Sequence, residues 1–570
     1  MSSLDNPLIL TFDVGTQSAR CLLVKTDGSF EDIHQVKYET PYYSPNPGWA
    51  EQKADFYYEQ ICEAGKIIAE RNKDKLDRVI AVTLTVIRDT VLCLDKDNKP
   101  LRDIILWLDK RQADFNDPFP LYKKALFKLV GMGEATKIIY QASVCNWVMQ
   151  YQPEIWEKTA KYVMLPTYLN YRITGNLVDS EANMIGHIPF DYQKRVWRSK
   201  NNLNRCICDV PSDKCCDLVK SGEELGKISK EFSEKTGIPE GLPLIATGSD
   251  KGCETVGLSV VHKNQAAISL GTTATVQLAL KKYVEPQRFM PAYPAVPNDM
   301  FNPEIEIYRG FWLISWFINE FGAKDEMEAK ELGIHTEKLL DEKIKELPPG
   351  CDGLLLQPYW TPGVINPTSK GAVIGFSDHH TRYHLYRAII EGLGFELYHS
   401  LKNMEKRAKL NIDEVYIAGG GARSDIVCQI FADIIGLPVK TIQTHEACSI
   451  GASMVAFISK GVFKDYDDAI ASMVHNKKVF MPNEENHKAY MVIYKSAYSK
   501  IFGSLEHIYK KTIKLTKRFE RRQKIRVQSL TKDSSPNGFL HPPPRAATVQ
   551  FSVGVTLTSS SIPRNRSTSL

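Results

Sequence analysis

A strand, a short polar turn containing glycine and a second strand begin this chain, and the same arrangement returns in its second half. The first copy spans residues 8–24, with apolar runs on both sides of a turn at 13–18. The second copy spans residues 266–278, with its turn at 271–274. Two near-copies of one strand–turn–strand unit, far apart in sequence, predict a duplicated α/β fold with a cleft between its halves.

Both turns are rich in groups that bind phosphate. The first contains Gly15, Thr16, Gln17 and Ser18, with Arg20 just beyond it, and the second contains Gly271, Thr272 and Thr273. Successive backbone N–H groups in such a turn converge on an anion, so we predict that these residues bind nucleotide phosphates. Asp13, at the end of the first strand, is placed to hold a hydrated Mg²⁺ near them, because hard cations prefer carboxylate and water oxygens.

A third glycine turn follows a predicted strand at residues 414–418. It contains Gly420, Gly421, Ala422 and Asp425 and leads into a predicted helix at residues 426–435. Glycines allow a flat ligand to approach the backbone closely, and the helix N-terminus adds a positive dipole end. We predict that this turn binds the nucleotide as well.

These turns and several further motifs make the chain resemble the FGGY carbohydrate kinases, within the actin-like ATPase superfamily, over residues 6–510. The further motifs are PGWAEQ at 47–52, ILWLDKR at 105–111, PTYLNYRITG at 166–175, TGSD at 247–250 and GF at 375–376. The resemblance implies two actin-like (ribonuclease H-like) α/β domains, at residues 6–257 and 262–510, with a ligand cleft between them. It also implies phosphorylation of a hydroxyl on a small sugar, ketose or polyol, with ATP and Mg²⁺.

Asp250 follows a run of small residues at the end of a predicted strand, residues 244–249. A carboxylate there is open to a cleft, and a general base must lie within hydrogen-bond reach of the proton that it takes. An aspartate after Gly-Ser is otherwise most often a turn residue or a helix cap. The resemblance implies that Asp250 is the general base and that it also takes part in binding the substrate and the metal.

Arg88 and Asp89 stand between two predicted strands, where such a pair can donate to and accept from neighbouring hydroxyls of a polyol. A salt bridge at the surface is the alternative interpretation. The resemblance places Arg88, Asp89 and Lys251 among the substrate-binding residues. Glycerol kinases, however, have Arg-Glu and then Gln at these positions, and xylulose kinases have a Gln-His type motif in place of Arg88-Asp89. The sequence therefore leaves the acceptor open among sugars, ketoses and polyols.

The net charge of +5 comes from the end of the chain, because residues 510–526 hold nine Lys or Arg and one Glu. We interpret this run as the solvated end of the last helix, followed by disordered chain, and we place a basic and then Ser-, Thr- and Pro-rich tail at residues 516–570. Binding of this run to nucleic acid or to an anionic membrane surface is the alternative interpretation.

We expect a small-molecule sugar or polyol as the partner, with no nucleic acid and no membrane. No apolar run approaches the roughly 18 residues that span a bilayer. The polar first residues predict no signal peptide, which favours the cytoplasm. Clustered cysteines at 206, 208, 215 and 216 fit no common zinc spacing and are interpreted as reduced thiols. The sequence leaves open a homodimer, and also a second class of function, a non-catalytic actin-like nucleotide-binding sensor or scaffold.

Overall fold

The structure is a computed structural model that describes residues 6–361, 363 and 366–532 of the 570-residue chain. The chain divides into two compact units, Met1–Lys510 and Lys511–Leu570. Each half of the first unit is organised by a six-stranded sheet. In the second unit the described residues, 511–532, continue one helix.

The first half of the larger unit alternates strands with helices. Its elements are β1 (Leu8–Val14), β2 (Ser18–Val24), β3 (Phe30–Lys37), β4 (Glu51–Gln52), α1 (Phe56–Arg71), β5 (Val79–Val86), β6 (Val91–Leu94), β7 (Ile104–Ile105), α2 (Leu121–Leu129), α3 (Gly133–Ala142), α4 (Val144–Tyr151), α5 (Pro153–Lys158), β8 (Lys161–Met164), α6 (Leu165–Thr174), β9 (Val178–Ser180), β10 (Phe190–Asp191), β11 (Val196–Trp197), β12 (Asp217–Val219), β13 (Glu224–Lys227), α7 (Lys230–Thr236), β14 (Pro243–Ile245) and α8 (Asp250–Gly257).

Strand β1 lies in the middle of the first sheet, whose strand order is β13-β14-β5-β1-β2-β3. It forms an antiparallel hairpin with β2 and pairs in parallel with β5, and β14 lies parallel to β5 on the other side. All of β1 is buried, as expected for a strand covered on both faces. Because β1, β5 and β14 run in the same direction, their carboxyl ends meet at one edge of the sheet.

The second half repeats the alternation. Its elements, with those that follow it, are β15 (Gln265–Leu270), β16 (Ala274–Leu278), β17 (Tyr293–Pro294), β18 (Phe301–Asn302), β19 (Glu304–Ile307), α9 (Trp312–Phe321), α10 (Ala323–Glu331), α11 (Thr336–Ile344), β20 (Leu355–Gln357), β21 (Ala372–Ile374), α12 (Arg382–Ala408), β22 (Glu414–Ala418), α13 (Asp425–Ile435), β23 (Val439–Ile442), α14 (Ala447–Ser459), α15 (Tyr466–Met473), β24 (Asn476–Phe480), α16 (Glu484–Ile493) and α17 (Ser499–Lys532).

The second sheet reproduces the pairing of the first. Its order is β19-β16-β15-β22-β23-β24, and β15 forms an antiparallel hairpin with β16 and pairs in parallel with β22. Strand β15 therefore occupies the place that β1 occupies in the first sheet. The predicted duplicated α/β fold is confirmed, and the predicted helix after the third glycine turn is α13, which begins one residue earlier than expected.

Helix α14 belongs to the second half in sequence but packs on the first sheet and on α8. The two helices touch backbone to backbone, because a side-chain carbon added at Gly257 would lie 1.9 Å from the carbonyl oxygen of Ala447. On the sheet, the hydroxyls of Thr11 and Ser453 lie 2.8 Å apart. A shared apolar cluster includes residues of β1, β2, α8, α14 and α15. The halves are thus joined by one shared apolar cluster.

The last helix extends to Lys532, so the basic run lies in a helix and the expected start of the tail at residue 516 falls inside it. The predicted disorder of residues 533–570 lies outside the described residues. In the part of the chain that the structure describes, no helix is both long and apolar enough to cross a membrane.

Candidate functional site

The ends of three neighbouring strands bring the predicted site residues of the first half together. Asp13 lies at the end of β1, Arg88 and Asp89 follow β5, and Asp250 begins α8 after β14. These strands are adjacent and parallel, so the residues that follow them share one edge of the sheet. Crevices at the carboxyl ends of parallel strands are where open α/β sheets bind ligands.

A cavity of about 590 Å³ opens at this edge, and we call it the central cavity. Residues of both halves line it, and six of the predicted site residues are among them: Thr16, Arg88, Asp89, Asp250, Lys251 and Thr273. The volume is in the range of small-molecule sites. Residues that the sequence separates by more than half of the chain therefore face one space.

Asp250 is positioned by the start of α8. The Ser249 hydroxyl caps the helix by accepting a hydrogen bond from the Gly252 N–H at 3.2 Å. The Lys251 N–H donates to Asp250 Oδ1 at 2.8 Å, and Arg88 Nε lies 3.9 Å from the same oxygen. Burial raises the pKa of Asp250, while Arg88 and Lys251 oppose the rise. The carboxylate begins the helix and faces the central cavity, and Ser249 provides the cap.

Arg88 spans the two halves. Its guanidinium donates to both carboxylate oxygens of Glu304, at 2.9 and 2.7 Å, and Gln277 Nε2 donates to the same carboxylate at 2.8 Å. The Arg88 and Glu304 side chains are 15% and 5% exposed. The alternative of a surface salt bridge between Arg88 and Asp89 is therefore wrong, because Arg88 is bound to the opposite half.

Asp89 has its own partner, His187. The His187 N–H donates to Asp89 Oδ1 at 2.9 Å, and His187 Nδ1 lies 2.7 Å from Oδ2. Burial raises the pKa of Asp89, but the charge and hydrogen bonds of His187 more than offset it, and the net pKa is lowered. Burial lowers the pKa of His187, but Asp89 raises it above its ordinary value. Gly186 is required here, because a side-chain carbon would lie 2.3 Å from Asp89 Oδ1.

Lys251 also crosses from the first half to the second. Its ammonium donates to Glu254 at 2.8 Å and to the hydroxyl of Ser269, on β15, at 2.6 Å. Burial lowers the pKa of Lys251, but the carboxylates of Glu254 and Asp250 outweigh it and the net pKa is raised. Lys251 is therefore a fixed cation beside the strand that leads into the second glycine turn.

Asp13 and Arg20 form a chain of charges with Glu446. Arg20 Nη1 donates to Asp13 at 3.3 Å, and its Nε lies 3.5 Å from the carboxylate of Glu446. Burial raises the pKa of Asp13 to about 7, Arg20 opposes this, and Glu446 and Asp250 add to it. Arg20 is thus shared between two carboxylates, and Asp13 and Asp250 are close enough to repel each other. Such a concentration of negative charge favours a cation.

The first glycine turn is closed by a hydrogen bond within it and is fixed by hydrogen bonds from other parts of the first half. The Gly15 N–H donates to the Ser18 carbonyl at 2.9 Å, which closes the turn. The indole N–H of Trp107 donates to the Thr16 hydroxyl at 3.0 Å. The Ser18 hydroxyl accepts from Gln35 at 2.8 Å, and the Gln17 carbonyl accepts from the Tyr38 N–H at 3.0 Å. The turn is therefore fixed in place by contacts from several parts of the first half.

The second and third turns lie side by side. The Gly271 and Thr272 carbonyls accept from the N–H groups at the start of α9, at 3.0 and 3.4 Å. Gly419 has φ of 90°, and a side-chain carbon there would lie 2.7 Å from the Leu270 carbonyl. At Gly421 such a carbon would lie 2.4 Å from the Phe311 ring. Glycine thus permits the two turns to approach each other.

The remaining residues predicted in the third turn differ in exposure. Ala422 is buried, whereas a side-chain carbon at Gly420 would lie 3.9 Å from its nearest neighbour and leaves open space. Asp425 begins α13 and pairs with Lys478 at 2.5 Å. These residues adjoin the second turn and are not part of the lining of the central cavity.

Sequence reasoning missed several charged residues that line the cavity, among them His187, Arg198 and Glu306. It also missed Glu304, the partner of Arg88. The glutamates alternate on β19, at the edge of the second sheet, and only the Glu-Ile-Glu-Ile alternation hinted at a strand with one polar face. Nothing in the local sequence marks His187. Burial raises the pKa of Glu306 to about 7, with Arg88 opposing and Glu304 adding to the rise.

The described residues include no group of three or more His, Cys, Asp or Glu side chains arranged to hold a metal ion. Cys208 lies beside Cys145, with 3.0 Å between the sulfurs, and Cys215 and Cys216 are buried in the same apolar core. A divalent ion at Asp13 and Asp250 would need oxygens of water or substrate to complete its coordination, as Mg²⁺ ordinarily does.

Comparison with curated proteins gives relatives that span nearly the whole larger unit. The chain is 26% identical over 507 residues to the "Uncharacterized sugar kinase YgcE" of Escherichia coli (strain K12), covering 88% of this chain and 95% of that protein. It is also 26% identical over 524 residues to a xylulose kinase of Staphylococcus epidermidis, covering 89% and 98%.

Solved structures show the same fold. A ligand-bound xylulose kinase from Lactobacillus acidophilus has a TM-score of 0.75 at 19% identity, covering 89% of this chain and 100% of that one. A gluconate kinase from the same organism has a TM-score of 0.75 at 18% identity, with the same coverage. Residues 8–257 match the N-terminal domain of the FGGY family of carbohydrate kinases and residues 266–459 match its C-terminal domain. The chain therefore belongs to the FGGY family of carbohydrate kinases.

Proposed function

We propose that this protein transfers the terminal phosphoryl group of ATP to a hydroxyl of a small sugar, ketose or polyol, with Asp250 as the general base. The observation that carries the proposal is that Asp250 lines the central cavity together with Thr16 and Thr273 of the first two glycine turns. A phosphoryl transfer needs a phosphate clamp, a metal and a carboxylate near the acceptor hydroxyl, and each has a candidate at this edge of the sheet.

Asp250 would take the proton of the acceptor hydroxyl as the oxygen attacks phosphorus. Burial raises its pKa, which makes it a stronger base than an exposed aspartate. Arg88 and Lys251 lie beside it and favour its ionised form. They are anchored to carboxylates of their own, so their positions are fixed before the substrate binds. Rigid neighbours keep the base aligned and lower the cost of organising the site.

The three glycine turns fit ATP. The first and second turns would hold the phosphates through backbone N–H groups, and the third, open at Gly420, would lie against the adenosine. Asp13 and Asp250 would hold Mg²⁺, which when bound neutralises phosphate charge during transfer. The fit rests on the two carboxyls: burial raises the pKa of Asp13 to about 7, Glu446 and Asp250 add to the rise, and a divalent cation would favour its ionised form.

The acceptor would lie between Arg88, Asp89 and Lys251. Asp89 accepts hydrogen bonds from His187 and still lines the cavity, so it can accept a further bond from a hydroxyl. We propose that residues 6–257 and 262–510 act as the two kinase domains, and that the site lies between them.

The test is ADP release from the full chain with Mg·ATP across neutral polyols, ketoses and sugar acids. We expect one acceptor class to stimulate ADP release strongly. Replacement D250N should lower the rate by more than about a thousandfold while ATP binding, measured by calorimetry, changes by less than about threefold. The control D378N alters a fully exposed carboxylate and should leave both quantities unchanged. Turnover by D250N within about tenfold of wild type would remove Asp250 from the base role.

A further inference from the structure

Glu306 is a carboxyl of the central cavity that the proposed reaction does not use. It lies on β19, where side chains alternate between faces, so Glu304 and Glu306 point to the same side. Their cross-strand neighbours on β16 are Gln277 and Thr275. The two glutamates thus stand in a row along the side of the second sheet that borders the cavity.

The carboxylates of the two glutamates differ in their hydrogen-bond partners. Glu304 accepts two bonds from Arg88 and one from Gln277, and it is buried. The carboxylate of Glu306 has no hydrogen-bond partner among the residues that the structure describes, and Glu306 lines the central cavity. A partly buried carboxyl without a partner is costly, and a ligand that brings hydrogen-bond donors removes that cost.

The nearest cations do not donate hydrogen bonds to Glu306. Arg88 and Lys251 both act on its pKa, yet their donors are directed to Glu304 and to Glu254. Asp250 and Glu304 add negative charge on the same side. The inner part of the cavity is therefore rich in carboxylates whose positive partners are already engaged. A second negative charge placed there would be repelled, whereas hydroxyl groups would find acceptors.

We propose that Glu306 is a specificity-determining residue, which binds hydroxyl groups of the acceptor and makes the site select neutral polyols or ketoses over sugar acids. The inference rests on the proposed kinase function and names the substrate class for it. The distinction matters because both a xylulose kinase and a gluconate kinase have this fold. Arg198 also lines the cavity, and this cation would favour sugar acids over neutral acceptors.

The experiment compares matched acceptors that differ only in an oxidised end: xylitol with xylonate, ribitol with ribonate, and glucitol with gluconate. For each pair, kcat and KM are measured for wild type, E306Q, E306D and R198Q. Wild type should prefer the neutral member of the best pair by at least about thirtyfold in kcat/KM. E306Q should reduce that preference by about tenfold, through a higher KM for the polyol and a lower KM for the acid.

E306D and one further variant, E346Q, distinguish a change of specificity from general damage to the protein. E306D keeps the charge and should retain the preference of wild type, and the control E346Q alters an exposed glutamate of the same half and should change nothing. Thermal unfolding of each variant verifies that it is folded. A purely structural role for Glu306 would lower kcat for both members of a pair equally and leave the ratio unchanged, which would overturn the inference.

Failure of the inference can be told apart from failure of the proposed function. If wild type releases ADP with neutral acceptors and E306Q shows the same ratio, Glu306 has no part in selection and the kinase assignment stands. If wild type prefers the acids and R198Q removes that preference, Arg198 determines the substrate class and the inference is wrong. If no acceptor of either class stimulates ADP release, the proposed function fails and the inference fails with it.

Discussion

Breaking the Arg88–Glu304 bridge should destabilise the protein more than removing both of its charges. The replacement E304Q keeps the shape of the side chain but leaves the Arg88 guanidinium without its carboxylate. Two charge-assisted hydrogen bonds of 2.9 and 2.7 Å are affected, between side chains that are 15% and 5% exposed. Removing one partner of a buried pair costs about 3–5 kcal/mol, because the other charge stays buried and uncompensated.

Replacing both residues avoids that penalty. In R88M/E304M neither charge remains, and replacement of a buried pair by apolar side chains is commonly near neutral. We therefore expect the double variant to recover most of the stability that E304Q loses. The exposed pair Lys343–Glu328, whose side chains are 38% and 43% exposed, provides the comparison. E328Q should cost less than about 1 kcal/mol.

The assay is urea unfolding followed by tryptophan fluorescence and by circular dichroism. Coincidence of the two transitions is needed before a single free energy of unfolding is assigned to a protein of this size. A loss below about 1 kcal/mol for E304Q, equal to that of E328Q, would refute the reasoning that the bridge is a buried connection between the halves. A double variant as unstable as E304Q would refute the claim that the stranded charge causes the loss.

Two further predictions concern other contacts of the site. Gly451→Ala should cost about 1–3 kcal/mol and lower acceptor-dependent turnover, because the new carbon would lie 2.0 Å from the Cys253 carbonyl, while Gly503→Ala, with open space around it, should not destabilise. H187Q should lower the unfolding temperature most between about pH 4 and 6.5. Because the pKa of His187 is raised, the stability that His187 contributes is lost as pH rises through its pKa in the folded protein. Because the pKa of Asp89 is lowered, the stability that Asp89 contributes is lost as pH falls through its pKa in the folded protein. An equal difference between wild type and H187Q at all pH values would contradict the pairing.

Local sequence predicted the parts of the fold that depend on neighbouring residues. The two hairpins around Gly15 and Gly271, and the helix that begins at Asp425, follow from apolar runs interrupted by glycine and small polar residues. These features needed no knowledge of distant contacts, whereas the central position of β1 and β15 in their sheets was seen only in the structure.

The partners of the site residues were beyond the reach of local patterns. Arg88 and Glu304 are 216 positions apart in sequence, and nothing near either residue indicates the other. For the same reason His187 could not be assigned to Asp89, which lies 98 positions earlier. An Arg-Asp dipeptide suggested one pair, whereas the fold directs its two side chains to different partners. Long-range pairing of charges is set by topology, and topology was only coarsely predicted.

The crossing of α14 over α8 has a consequence for how the protein is made. The face of the first sheet that carries Ile9 and Leu22 is covered by residues of α14 and α15, the last of which is Met473. During synthesis the N-terminal sheet emerges long before the segment that covers it. That apolar face therefore remains uncovered until most of the chain has left the ribosome. The half that is translated first therefore cannot complete its core until both helices have been made.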